Sequence, residues 1–313
     1  MSSPSYAIAL AIGPDSKEVE RTRDLIDSIN AYAPEPAVFV MIDDAPEDRH
    51  LETSLSFPPQ LKPVSLHHPR HGAAPQKFTK SKGICAAIQT AFAWIAKNSP
   101  DVKFVLKLDT DALIIAPFYN QIASVIDASP DVGMIGAYDK TPNGDARDIS
   151  YNAKTVKALQ EPGSFLQSLK YKFSNDDRAV ISRHISTARE KGYQYGEHCL
   201  GGAYAVSGEL LRRMNAVGYL DNPARWLSID CPEDVMVGIY TRATGMTFRG
   251  FVSNKEAFGI RYKGLADTPE NLLSRGYSVI HSVKNDANFT EEQIREFYQK
   301  ARRHEGTEAR SGV

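Results

Sequence analysis

The chain of 313 residues is 42% hydrophobic and 24% charged, which excludes a mainly disordered chain, a collagen-like repeat and a multi-span membrane protein. Its 37 Lys and Arg against 38 Asp and Glu leave a formal net charge of -1, without the broad positive field of a dedicated nucleic-acid binder. Three cysteines, Cys85, Cys199 and Cys231, are too few for a disulfide framework and suit a reducing compartment. The N-terminus carries no basic segment ahead of its short apolar run, and no longer run follows. That predicts a soluble chain without a membrane span, placed in the cytoplasm.

Tyr6 to Ile12 is a near-continuous apolar run that stops at Gly13-Pro14-Asp15, the pattern of a buried parallel strand. Asp15 with Glu18 opens a helix whose apolar residues, Val19, Ile26, Ile29 and Ala33, follow helical spacing up to Pro34. Ala37 to Ile42 is a second buried strand, ending at Asp43-Asp44, so the chain begins with a βαβ unit and a parallel sheet. Residues 45–79 are rich in Pro and His and read mainly as loop, with a short strand at Val64 to Leu66. A helix follows over Ser81 to Lys97, with Ile84, Ala87, Ile88, Ala91, Trp94 and Ile95 on one side. Lys103 to Leu108 is a strand that runs into Asp109-Thr110-Asp111. Pro117 to Ile126 reads as helix and Val132 to Tyr138 as strand.

Residues 140–198 are polar and read as an insertion, with weak helical stretches at Lys154 to Leu159 and Asp177 to Arg189. Gly201 to Val206 is a strand, after which Ser207 caps a short helix. Cys231-Pro232-Glu233-Asp234 opens another helix, with two acids near its positive dipole end, and Gly245 closes it. Strands follow at Met246 to Phe251 and Ser278 to Val283. A helix over Thr290 to Lys300, capped by Thr290 and Gln293, leads to a frayed tail from Ala301.

Asp109 and Asp111 stand at the carboxyl end of an apolar strand, where ligands bind in open parallel sheets. Two carboxylates there can hold a hard divalent cation, which in turn binds phosphate oxygens. A strand-end turn with Asp as a cap is the competing reading of so short a motif.

Four blocks in order extend the pattern: Lys107-Leu-Asp-Thr-Asp111, Gly201-Gly-Ala-Tyr-Ala-Val-Ser207, Pro232-Glu-Asp-Val-Met-Val-Gly238 and Ile280-His281. Their order resembles GT-A glycosyltransferases, specifically the Fringe and galactosyltransferase-like inverting group, over about residues 6 to 284. The resemblance implies an α/β fold of GT-A (Rossmann-like) type, a mixed, mostly parallel central sheet flanked by helices with a helical insertion. It implies one such domain over 1–285, with the insertion at about 140–198 and a C-terminal helix and tail over 286–313. It also implies a nucleotide-sugar donor, usually a UDP sugar, a hexosyl transfer by single displacement, and Mn²⁺ or Mg²⁺ as cofactor. The acceptor would be a glycan, a small molecule or a protein.

By the same resemblance Asp111 is the direct metal ligand, Asp109 holds the ribose or the metal's water shell, and His281 is the late metal ligand. An imidazole among oxygens tilts the choice toward Mn²⁺. Asp234 is the candidate general base that takes the acceptor proton, with Glu233 as the fallback. Asp43 or Asp44 stands where related enzymes bind the base or ribose. Lys82 and Lys284 can reach nucleotide or phosphate. Gly201 and Gly202 permit close approach of donor sugar or acceptor. Tyr204 and Trp226 are acceptor-side candidates, with core burial as the competing reading. His67, His68 and His71 read as loop, with Arg70 or His71 near substrate. The middle acid of an Asp-Asp-Asp motif is replaced by Thr110, and the 140–198 segment matches nothing in the family.

Other functions fit parts of the pattern. A nucleotidyltransferase would carry a glycine-rich basic loop after the first strand, where this chain has Gly13-Pro-Asp-Ser-Lys17 with one glycine. A phosphatase would place Asp-x-Asp on the first strand. A non-catalytic carbohydrate-binding relative remains the alternative outside enzymes.

Overall fold

Among the described residues of the computed structural model, seven strands form one mixed sheet and three short strands form a second. The structure describes residues 3–72, 80–160 and 175–311, without the side chains of 80–82, 175–176 and 304–311. In chain order the strands are β1 (Tyr6–Ile12), β2 (Ala37–Asp43), β3 (Leu61–His67), β4 (Phe104–Leu108), β5 (Leu113–Ile114), β6 (Val132–Gly136), β7 (Ala203–Ser207), β8 (Thr247–Gly250), β9 (Phe258–Ile260) and β10 (Val279–His281). The large sheet runs β3-β2-β1-β4-β7-β6-β8, and β7 alone runs against its neighbours. This is the α/β class with a mixed, mostly parallel sheet and flanking helices expected from the sequence.

Helices cover both faces of the sheet, so the central strands are buried on each side and read as continuous apolar runs. Ala7, Ala9, Val38 and Val40 pack with Ala87, Ile88 and Phe92 of the helix Lys80–Asn98. Ile8, Leu10, Phe39 and Met41 face Leu25, Ile26 and Ile29 of the helix Ser16–Tyr32. That helix starts as expected, with Asp15 accepting from the Lys17 amide. The edge strand β3 is longer than predicted, and its only partly buried pattern and Pro63 are what hid it.

The segment 140–198 has no core of its own among its described residues. Its helices span Ser150–Gln160 and Asn175–Glu190, and Val156, Leu159, Ile181 and Ile185 join the same core as β1 and β2. The C-terminal helix also runs further than expected, over Glu291–Ser311. Arg295 and Arg302 pair with Asp24, and Arg21 with Glu291, tying it to the helix Ser16–Tyr32.

The topology puts separate stretches of chain at one place. Strands β1, β2 and β4 are parallel and so deliver their carboxyl ends to one edge. Because β7 runs against β4, its start meets the end of β4: Leu108 pairs with Ala203, and the Asp109 amide donates to the Gly202 carbonyl at 3.0 Å. In the small sheet β10 runs against β5, pairing Ile280 with Leu113, so His281 arrives beside Asp111. The Val283 amide donates to the Asp111 carbonyl at 3.1 Å and fixes that arrival.

Candidate active site

Asp109, Asp111 and His281 converge, with one ligand-type atom of each within 4.8 Å of the others. The His281 Nε2 stands 3.5 Å from Asp109 Oδ2 and 3.5 Å from Asp111 Oδ1. Asp111 is fully buried; Ser282 donates to its Oδ2, and Lys284 Nζ lies 3.2 Å from its Oδ1. Burial alone would raise the Asp111 carboxyl, but His281, Lys284 and Ser282 outweigh it and hold it far below the usual range. For His281 burial disfavours charge, yet Asp109 and Asp111 hold the imidazole up at about 9.

This donor set fits a divalent cation. Asp111 Oδ1 is buried without a hydrogen bond of good geometry, and the groups beside it are positive, Lys284 Nζ at 3.2 Å and His281 Nε2 at 3.5 Å, as at an oxygen that can take a cation. The Arg261 carbonyl accepts from His281 Nδ1 at 3.0 Å, so Nε2, which faces the two carboxylates, is the nitrogen that would give up its proton to a cation. Two carboxylates and one imidazole suit Mn²⁺ or a similar ion. Thr110 turns away from this trio and donates to Glu18, anchoring the loop to the helix Ser16–Tyr32.

The second group of acids sits across the same cleft. Pro232 precedes the helix Glu233–Ala243, and Glu233 and Asp234 occupy its first turn, both nearly buried. Lys107 lies between the two groups. Its Nζ is 2.6 Å from Asp109 Oδ1 and 2.8 Å from Glu233 Oε1, and it donates to the Gly201 carbonyl as well. Although 1% exposed, it stays charged because Asp109 and Glu233 more than offset the penalty of burial.

Asp234 lacks such a partner. Its Oδ1 accepts from the Val235 amide at 2.8 Å, and its Oδ2 stands 3.4 Å from His198 Nε2. Burial and neighbouring Arg147 push the His198 pKa down to about 4, so the ring is neutral near pH 7. Its Nδ1 donates to the Gly196 carbonyl at 2.6 Å, while Nε2 accepts from Arg147 at 2.8 Å. Burial raises both carboxyls, and Lys107 only partly offsets this.

Gly201 and Gly202 do permit a close approach, but the approaching groups belong to the chain itself. A Cβ on Gly201 would stand 2.9 Å from Asp234 Oδ2 and 3.0 Å from Glu233 Oε1, and one on Gly202 would overlap the His281 ring. The cleft between the two groups has a volume of about 1000 Å³. A second cavity of about 520 Å³ opens beside it at the ends of β1 and β2, lined by Gly13, Asp44, His68 and Arg70. The two share Asp109, Asp111, Lys284 and Ile84.

Asp44 therefore lines a cavity, paired with Arg70 at 2.5 Å, and Lys284 reaches Asp111. Asp43 does not take the donor-binding place expected for it. It is buried, and its carboxylate is used by the Arg49 guanidinium and the Ala45 and Arg49 amides. Tyr204 and Trp226 are also corrected from acceptor candidates to core residues. Tyr204 pairs with Lys107 across β7 and β4 and packs under it, with Nζ 5.6 Å from the ring centre; Trp226 packs edge-on against Tyr240. Lys82 lies in the first turn of the helix Lys80–Asn98, and its side chain lies outside the described residues. Cys85, Cys199 and Cys231 are free, buried thiols.

Lys107, His198 and Arg147 were missed as site residues. Lys107 carried a signal, being the one charge in the fully buried strand β4. His198 and Arg147 carried none, since both lie in the polar segment read as an insertion.

No family model matches the chain, and no curated protein matches it. Among solved structures it is similar to the bifunctional glycosyltransferase WbbM in its apo form, with a TM-score of 0.46 and 12% identity over 91% of this chain and 47% of that one. It is also similar to the mannosyltransferase PcManGT of Pyrobaculum calidifontis in complex with GDP-Man and Mn²⁺, with a TM-score of 0.41 and 14% identity over 81% of this chain and 56% of that one. The chain thus spans about half the length of these structures. Among the described residues no helix is long and apolar enough to cross a membrane.

Proposed function

We propose that the chain is a metal-dependent, inverting GT-A glycosyltransferase that moves a hexose from a UDP sugar to an acceptor hydroxyl. The observation that carries this is the pairing, across one cleft, of a cation-type donor set (Asp109, Asp111, His281) with a carboxylate pair of raised pKa (Glu233, Asp234).

Asp109, Asp111 and His281 would hold Mn²⁺, or Mg²⁺, whose chemistry here is to neutralise charge gathering on the diphosphate leaving group. Lys284, 3.2 Å from Asp111, supplies a further positive charge on that side. The uridine and ribose take the second cavity, beside Asp44 and Arg70. Asp234 is the base rather than Glu233, because Glu233 is held as the ion-pair partner of Lys107. In the transfer the acceptor oxygen forms a bond to the anomeric carbon as its proton passes to Asp234. The bond from that carbon to the diphosphate oxygen breaks, and the electron pair leaves with UDP.

His198 fits this role for Asp234. Its ring is neutral and stands 3.4 Å from Asp234 Oδ2, and its Nε2 lone pair is taken by Arg147, so it neither adds a charge that would repel the incoming proton nor competes for it. A triphosphate-binding nucleotidyltransferase is less suited, because the Asp15 carboxylate takes the Lys17 amide at the start of the helix after β1 and puts a negative charge there.

Residues 1–285 are taken as one GT-A domain and 286–313 as a C-terminal helix and tail. Three buried cysteines that form no disulfide with one another suit a reducing compartment, which we take to be the cytoplasm. The test is calorimetry of UDP binding with and without Mn²⁺, followed by a screen of nucleotide sugars for released nucleoside diphosphate. Metal-dependent binding that is lost in Asp111→Asn supports the reading. Binding that ignores both the metal and Asp111 overturns it.

A further inference from the structure

Among the described residues few large apolar side chains are exposed. There are four: Ile84, Tyr151, Val217 and Tyr262. Three of these, all except Val217, line the same cleft. Single exposed hydrophobic residues need no explanation, but their concentration at one opening does.

The two tyrosines border different halves of the cleft. Tyr151, 77% exposed, is in the first turn of the helix Ser150–Gln160. Its neighbour Asn152 reaches to 3.4 Å from His198 Nε2, which stands beside Asp234. Tyr262, 73% exposed, directly follows Arg261. The Arg261 carbonyl accepts from His281, and its amide donates to the His281 carbonyl at 3.1 Å. One ring therefore marks the side of the proposed base and the other the side of the proposed metal ligands.

We propose that Tyr151 and Tyr262 form an aromatic platform for a saccharide acceptor, whose attacking hydroxyl lies over Asp234. This rests on the glycosyltransferase reading above. A sugar ring has apolar C–H faces and a polar edge. The cleft offers both: two exposed aromatic rings, and the polar groups of Arg147, Asn152 and Asp234 in the same lining. The same lining holds the charged groups Asp109, Asp111 and Lys284, so it is not the continuous apolar surface that a lipid chain would need. The nucleotide has its own place in the second cavity, which neither tyrosine lines.

The experiment is saturation-transfer NMR on the whole chain with UDP and Mn²⁺. The probes are glucose, galactose, mannose, N-acetylglucosamine, lactose and cellobiose. At least one saccharide binds the parent protein. Tyr151→Ala and Tyr262→Ala each weaken it about tenfold, whereas Tyr151→Phe and Tyr262→Phe keep it within about twofold, because stacking needs the ring and not the hydroxyl. Calorimetric UDP and Mn²⁺ affinity stays at the parent value in all four variants, which shows that the fold and donor site are intact. If UDP binds with Mn²⁺ but no saccharide binds, or if the alanine variants bind as well as the parent, the platform is refuted while the transferase reading stands. If UDP does not bind the parent protein with Mn²⁺, both fall together.

Discussion

Lys107→Met tests whether the buried lysine is what allows the two acidic groups to share one site. The substitution keeps the length and much of the volume of the side chain but removes its charge. Three acceptors lose their donor: Asp109 Oδ1, Glu233 Oε1 and the Gly201 carbonyl. Removing one partner of a buried ion pair costs about 3–5 kcal/mol, because the remaining charge is left uncompensated. That corresponds to a fall in Tm of about 5–8 °C for a chain of this size.

The loss depends on pH in a direction that can be worked out. Burial, against the pull of Lys107, lifts Glu233 from 4.5 to about 7. The native state then binds more protons than the unfolded chain between those values, so this group's contribution to stability falls as pH rises through that window. Without Lys107 the attraction that held the carboxyl down is gone, and the window extends upward. At pH 5 Glu233 is neutral in parent and variant alike, so its share of the loss shrinks to that of an ordinary hydrogen bond, about 1 kcal/mol, while the share of Asp109, whose carboxyl, against burial, Lys107 holds low, persists. Denaturant unfolding of parent and variant at pH 5 and pH 8 measures the difference. Equal losses at the two pH values, or a loss under about 1 kcal/mol at pH 8, would refute the role given to Lys107.

Three further outcomes are expected. Gly202→Ala pushes His281 away from the two aspartates and weakens Mn²⁺ binding about 10–100-fold by calorimetry, with the circular dichroism spectrum unchanged. Asp234→Asn lowers transfer about 10²–10⁴-fold in a radiolabelled-sugar assay while metal-dependent UDP binding persists; the same loss in Glu233→Gln but not in Asp234→Asn would exchange their roles. In the parent protein, kcat/KM for the proposed transfer rises with pH through about 6, where Asp234 is held by burial against the pull of Lys107 and Arg147, since the proposed base must be unprotonated to accept the acceptor's proton. A flat profile from pH 5 to 7 would remove the base assignment.

What the sequence revealed and what it hid have physical causes. Strands β1, β2 and β4 were legible because burial on both faces makes them unbroken apolar runs. Strands β5 and β9 were not, because two or three residues carry no period, and their pairing is set by the rest of the fold. The five chemical residues Asp109, Asp111, Glu233, Asp234 and His281 stood out because each lies where an apolar element begins or ends. Tyr204 and Trp226 were misassigned for a related reason. Nearness to a motif along the chain does not tell which face a side chain takes. On β7, Ala203 and Ala205 face the core that includes Ile8 and Leu10, whereas Tyr204 and Val206 face the one that includes Ala7 and Ala9. Parity across Lys107 and Tyr204 then places the ring beneath the lysine, not in the cleft.

The same parity makes the site depend on a short pairing. His281 reaches Asp111 only because β10 pairs Val279 with Ile114 and Ile280 with Leu113. A slip of one residue would turn His281 to the opposite face, since side chains alternate along a strand. So short a ladder cannot specify its register by itself, and the neighbours supply the constraint. Ile280 and Leu113 lie in one apolar cluster with Ile294 and Tyr298 of the C-terminal helix. That helix is in turn fixed to the helix Ser16–Tyr32 through Asp24, Arg295 and Arg302. The position of the proposed metal ligand therefore depends on packing by residues far beyond the last motif, and a helix that looks like an appendage in the sequence holds one side of the site in register.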